Sequence, residues 1–400
     1  MVIKRRQFLR SGSLAAAGTL LVPRFLQAFN GKLGAPLPSG TKTLVVIQLS
    51  GGNDGLNTII PVRNDIYYQQ RPRLGIKREI ALPVADEAGL HPALTHFREL
   101  YNQGHLAIMN NVGYPNPDRS HFRSMDIWQT GSSAQQYWNT GWLGRYLDAQ
   151  CQQCEHPTQI LEIDEVLSLA LKGRQQKGIA LQDPARLYQA AHTPFFAQMT
   201  QARHQEEPVA NYLYKTLTST LQSADYLFKE ARKAPPASHF PNTQLGKSLH
   251  TIASLIQSDI NTRVYYVSLG SFDTHINQEI QQARLFKELN DAVGAFVQTL
   301  KTAGRFNDTL IVTFSEFGRR VAQNASGGTD HGTANNMFFI GGSLKKQGLL
   351  NPLPDLANLD SGDLIFKVDF REVYATLLEK WLGAPHQSVL EQSFRMHDFV

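Results

Sequence analysis

Four hundred residues, 42% apolar and 18% charged, have globular composition and suffice for one large α/β domain or two ordinary ones. The excess of 39 basic over 34 acidic residues, with a pI near 9.1, belongs to the N-terminus: Lys4, Arg5, Arg6, Arg10 and Arg24 fall in residues 1–28 with no acid, leaving 34 of each sign. A chain so balanced gives no argument for nucleic-acid binding.

Residues 1–28 open with KRRQFLR, continue through the uncharged run SGSLAAAGTLLVP and end in small residues near Ala28. Arg5-Arg6 followed by Phe8-Leu9 resembles a twin-arginine export signal. The apolar run is too short to span a bilayer comfortably, so no stable membrane insertion is expected after processing. The expectation is a periplasmic or extracellular protein that folds, and loads any metal, before the twin-arginine machinery exports it. Residues 29–42 are Gly/Pro-rich and read as a linker, leaving 43–400 as a single domain.

The first strand, 44–49 within TLVVIQL, is apolar at nearly every position, as a strand buried on both faces should be. It runs into SGGNDGLNT, whose glycines permit tight turns close to a ligand. The stretch 61–90 is polar and lacks clear periodicity. HPALTHFRELYNQG has helical spacing and stops at Gly104, and 106–112 is the next strand. HFRSMDIWQTG, ending at Gly131, and GWLGRYLDAQ read as short helices. Cys151 and Cys154 stand alone in CQQC, which suits a local disulfide or free thiols better than zinc. QILEI and GIALQ are strand-like. Residues 193–258 form a mainly helical insertion or cap, broken near 233–241. Strand 264–269, helix 278–303, strand 309–314, a last strand MFFIGG and a C-terminal helix stopped by Gly383 complete the chain. The alternation predicts an α/β fold: a mostly parallel central sheet with helices on both faces.

Three strands deliver acids or imidazoles to one edge, where open α/β sheets place ligands. Asp54 follows the first, Asp273 and His275 the second, and Glu316, Asp330 and His331 the third. The i, i+2 spacing of Asp273 and His275 points both side chains one way on an extended loop and suits a divalent ion. Three of them also have a plainer role: Asp54 as a turn former, Asp273 as a helix cap, Glu316 as a partner for Arg319. Asn53, Arg119, Arg123 and Arg319 are candidates for binding an anionic substrate, the arginines by bidentate contact.

The segments QLSGGNDGLN, DRSHFRSMDIWQTG, GWLGRYLD, SFDTH, TFSEFGR and GGTDHG, spanning about 45–383, resemble the DUF1501 family of exported proteins within the alkaline phosphatase superfamily. The resemblance implies a dimetal hydrolase site. Asp54 would match a ligand of one metal, and Asp273, His275 and His331 the ligands of the other. Glu316 takes the acid position of the superfamily's Asp-His-Gly strand end, but Phe317 stands where its histidine belongs. The Asp-His spacing in FDTH is also shorter than the usual one. One metal is therefore expected more firmly than two, with Zn, Mn, Mg or Ca as candidates. Ser120 best matches the superfamily nucleophile at a helix start, where it serves equally as an N-cap. Aligning WQTG instead puts His121 nearer that position, and His121 fits a ligand or a general acid as well. No formylglycine-type Cys-x-Pro-x-Arg occurs. These readings predict a metal-dependent hydrolase of small or polymeric phosphate or sulfate esters, with Ser120, His121 or water as nucleophile. The alternative is a non-catalytic, metal-stabilised periplasmic protein that binds a polymer or protein partner.

Overall fold

The structure, a computed structural model, describes residues 40–150, 157–194, 208–234 and 239–400. The export signal, most of the linker and the cysteine pair fall outside the described residues. The strand β1 (Thr43–Leu49) is buried along its whole length. Beside it run β5 (Val264–Leu269) and β6 (Thr309–Phe314), both parallel to it. The register is tight: Leu49 lies opposite Leu269, and Gln48 opposite Phe314. Three strands that end level must release their following loops side by side, and this builds the site.

The remaining strands are β2 (Leu106–Gly113), β3 (Ile160–Glu162), β4 (Ile179–Ala180), β7 (Asn335–Ile340), β8 (Gly348–Leu349) and β9 (Val368–Asp369). Their order across the sheet is β8-β2-β7-β6-β1-β5-β3-β4, with β9 also paired to β2. Only β7 is antiparallel to its neighbours β2 and β6, so the expected mostly parallel sheet is present. Because β7 runs backwards, the loop that enters it at Asn335 lies at the same edge as the ends of β1, β5 and β6.

Alternation along β1 divides the core. Val45, Ile47 and Leu49 face one apolar cluster, and Leu44 and Val46 face the other. The first cluster is covered by α3 (Thr95–Asn102), α8 (Gln244–Gln257) and α9 (Gln278–Thr302). The second is covered by α4 (His121–Thr130), α5 (Trp142–Gln150) and α10 (Phe370–Thr376), with Trp128 stacked between Phe314 and Phe370. Helices α6 (Pro184–Ala191) and α7 (Pro208–Ala231) pack on the first cluster through Leu187, Tyr226 and Leu227. Helix α8 lies in the block expected as an insertion, and its Leu249 and Ile252 are fully buried in the first cluster.

The polar stretch 61–90 is structured. It holds α2 (Asp65–Gln70), capped by Asn64, and contributes to a small antiparallel sheet of Ile59–Ile60, Leu82–Pro83 and Gly89–Leu90. Elements of two to six residues are too short to leave a periodic signal. No helix among the described residues is long and apolar enough to cross a membrane.

Candidate metal centre

Glycine shapes the floor of the site. Gly51 and Gly52 follow β1 with φ of +118° and +72°, in the left-handed half of the map that L side chains avoid. A Cβ on Gly51 would strike the backbone of Phe272 and Asp273, and one on Gly52 would strike the Phe317 ring. The loop after β1 can therefore lie directly beneath the loops after β5 and β6. Arg319 fastens them. Its guanidinium, buried, donates to the carbonyls of Gly52 (2.6 Å), Thr329 (2.8 Å), Gly51 (2.5 Å) and Phe272 (3.0 Å), and to Asp273 Oδ1 (2.7 Å).

Above this floor three imidazoles converge on Asp273. His275 Nε2 and His331 Nε2 lie 3.0 Å apart, and they stand 3.0 and 3.1 Å from Asp273 Oδ1. His121 Nε2 lies 3.4 Å from Asp273 Oδ2. Each ring is oriented through its other nitrogen. His121 Nδ1 is 2.9 Å from Glu316 Oε1, His331 Nδ1 is 2.8 Å from the Arg119 carbonyl, and His275 Nδ1 is 3.5 Å from Asp330 Oδ1. With an ion in place, those acceptors would hold the ring protons on Nδ1 and turn the Nε2 lone pairs inward, the usual arrangement behind a metal-binding histidine.

The residues fit one divalent ion. His121, Asp273 and His331 each offer a ligand atom within 4.8 Å of the others. His121 Nε2 is buried yet has no hydrogen-bond partner. Four donors held tetrahedrally about 2.0–2.2 Å from a zinc-like ion stand about 3.3–3.6 Å apart. The spacings of the Asp273 oxygens from the three Nε2 atoms, and of His275 Nε2 from His331 Nε2, are 3.0–3.4 Å and lie near that edge.

Charge agrees with geometry. Burial pushes the Asp273 carboxyl up, but hydrogen bonds from Arg319 and His331 outweigh it and bring the group down to about 2. The Glu316 hydrogen bond raises the pKa of His121, against the effect of burial. Phe317 packs under the cluster, with ring centres 4.9 Å from His121 and 4.7 Å from His331, so the histidine absent at 317 is replaced by an apolar support.

The other residues singled out in the sequence are placed differently. Asp54 is not in the cluster. It caps α1 (Gly55–Thr58) and is buried against Arg71 Nη1 and Gln278 Nε2, each 2.5 Å from Oδ2, so a second metal does not fit there. Glu316 and Asp330 contact the histidines' Nδ1 atoms on the side away from the centre. Arg319 has its donors committed to the floor. Arg123 turns away toward the carbonyls of Ser133, Ala134 and Gln136, and Asn53 is buried against Thr58, Ser315 and Asn335. Ser120 precedes α4, exposed and without a side-chain cap bond. Arg119 binds Asp363 at the rim. Sequence reasoning missed Arg71 and Arg320. The only signal for Arg320 was a second arginine beside Arg319.

A family model described as "Protein of unknown function (DUF1501)" matches residues 41–392. The chain belongs to the DUF1501 family. No curated protein matches it. Similar solved structures include a sulfatase from Pseudoalteromonas sp. (12% identity, TM-score 0.41, covering 99% of this chain and 75% of that one). Another is a protein in the alkaline phosphatase superfamily from Vibrio parahaemolyticus (10%, 0.37, 100% and 81%). A third is the zinc complex of the C-terminal periplasmic domain of EptC from Escherichia coli (10%, 0.33, 78% and 77%). The DUF1501 match takes in every residue of the histidine cluster and of the floor beneath it.

Proposed function

We propose that this protein is an exported, metal-dependent hydrolase of phosphate or sulfate esters, built on one divalent ion held by His121, Asp273, His275 and His331. The observation that supports this reading is the convergence of three Nε2 atoms on one carboxylate, each ring oriented through its Nδ1. A bound divalent ion would act as a Lewis acid toward an ester oxygen. The protein's own contribution is orientation. Glu316 holds the proton on His121 Nδ1, the Arg119 carbonyl holds the one on His331 Nδ1, and Arg319 keeps Asp273 ionised. The exposed Ser120 hydroxyl and the first N–H groups of α4 border His121, where an anion is favoured. The twin-arginine leader remains the proposed route of export.

Ser120 makes no bond to an activating base, which favours the second reading, a metal-stabilised binding protein without turnover. Elemental analysis of the exported protein beside Asp273→Ala and His331→Ala decides the metal question. About one ion per chain, lost in the variants, is expected; a metal-free parent purified without chelators refutes the centre. A panel of aryl phosphates and sulfates then separates the readings. Turnover lost with His121→Ala supports the enzyme, and a metal-loaded parent inert toward every ester supports the binder.

A further inference from the structure

We infer that Arg119 and Arg320, held by the buried carboxylate of Asp363, form a clamp for the tetrahedral oxyanion of the substrate beside the metal centre. This rests on the hydrolase reading for its chemical purpose and extends it to the guanidiniums of Arg119 and Arg320, which that reading does not use.

Asp363 lies on a two-stranded ribbon, Leu359–Asp360 with Asp363–Leu364, turned through Ser361 and Gly362 with positive φ. The ribbon is tied to the loop bearing His331: Thr333 Oγ1 donates to the Leu364 carbonyl at 2.5 Å, and the Val321 N–H approaches the Gly362 carbonyl at 3.5 Å. The Asp363 side chain is 1% exposed. An anion so placed is costly unless cations accompany it. Arg119 Nη2 hydrogen-bonds Oδ2. Oδ1 is buried without a hydrogen-bond partner, with Arg320 Nε 3.8 Å away.

Both arginines are fixed to the metal centre through their backbones. The Arg119 carbonyl accepts from His331 Nδ1, and the Arg320 N–H donates to the Asp330 carbonyl at 3.0 Å. Their side chains are 43% and 39% exposed, unlike that of Arg319. A guanidinium carries five N–H donors. Arg119 uses one on Asp363, and among the described residues no hydrogen bond engages the Arg320 side chain. Two guanidiniums share the one buried carboxylate and keep donors free at the rim. Their forks match the paired oxygens of phosphate or sulfate. Of the neighbouring acids, Asp360 is exposed and bonded to Ser361 Oγ, Asp118 accepts from the Ser120 N–H, and Asp330 is shared with Asn324 and His275.

The test is calorimetric titration of the metal-loaded protein with inorganic phosphate and, separately, with sulfate, on the parent, Arg119→Gln, Arg320→Gln and the exposed control Lys287→Gln. Metal content is measured on every sample. The parent is expected to bind one or both anions, and which one it prefers names the ester class. Each arginine variant should weaken binding about tenfold or more, with metal content and circular dichroism unchanged and the control equal to the parent. Equal binding by parent and both arginine variants overturns the clamp, as does a parent that binds neither anion. The two proposals fail separately. A metal-free parent that still binds phosphate through these arginines refutes the metal centre alone; a metal-loaded parent indifferent to both substitutions refutes the clamp alone.

Discussion

Replacing Glu316 by Gln removes one charge while nearly preserving shape. The Glu316 carboxylate is fully buried, and Oε1 takes both the Gly51 N–H at 2.8 Å and His121 Nδ1 at 2.9 Å. A glutamine carbonyl can accept the same two bonds. What is lost is the charge-assisted part of the bond to His121, and with it the basicity passed through the ring to Nε2. Outer residues of this kind typically tune metal affinity by about 10–100-fold, or roughly 1.4–2.7 kcal/mol. Competition against a chromophoric chelator reads this directly. The measurement belongs well above the histidine range, because Glu316 also raises the His121 pKa and the variant would otherwise gain from weaker proton competition. His121→Ala, which deletes the donor, should lose more than Glu316→Gln. Equal affinities for the parent and Glu316→Gln, with circular dichroism unchanged, would remove His121 from the ligand set.

Glu162, buried at the end of β3, is pushed from the ordinary 4.5 to about 7 by burial, against the opposing hydrogen bond from the Ser168 N–H. A carboxyl raised in the folded state gives stability that is complete below its unfolded value and is lost as pH climbs from about 4.5 toward 7. Urea unfolding between these limits should show a decline on the order of 3 kcal/mol that is absent in Glu162→Gln; parallel pH profiles would contradict the assignment. The Asp54–Arg71 pair is a second buried charge system. Arg71→Ala strands the carboxylate and the carbonyls of Val321 and Arg320, and should cost about 3–5 kcal/mol in urea unfolding. A loss below about 1 kcal/mol would class it with surface pairs.

The sheet was legible because β1, β5 and β6 are uncharged runs, mostly apolar, and each is followed by acids and turn residues. The partners of the site residues were not. Glu316 lies 195 positions from His121 and Asp54 lies 17 from Arg71, and spacing within a motif carries no trace of either pairing. Reading the acids at 316 and 330 as ligands assigned roles by residue type, whereas Asp273 and His121, the latter read as a ligand or a general acid, do face the centre. In the folded chain the acids at 316 and 330 stand behind imidazoles that do the facing. The glycines, by contrast, announced a close backbone approach correctly, since Gly51 and Gly52 sit where the neighbouring loop and ring leave no room for a side chain.

One guanidinium, that of Arg319, joins the segments after β1, β5 and β6 to one another and to Asp273. Those segments are thus cross-linked by hydrogen bonds that owe nothing to an ion. Their backbone amides should exchange with solvent at closely similar rates whether or not the centre is loaded. Binding of an ion there would then cost little chain ordering.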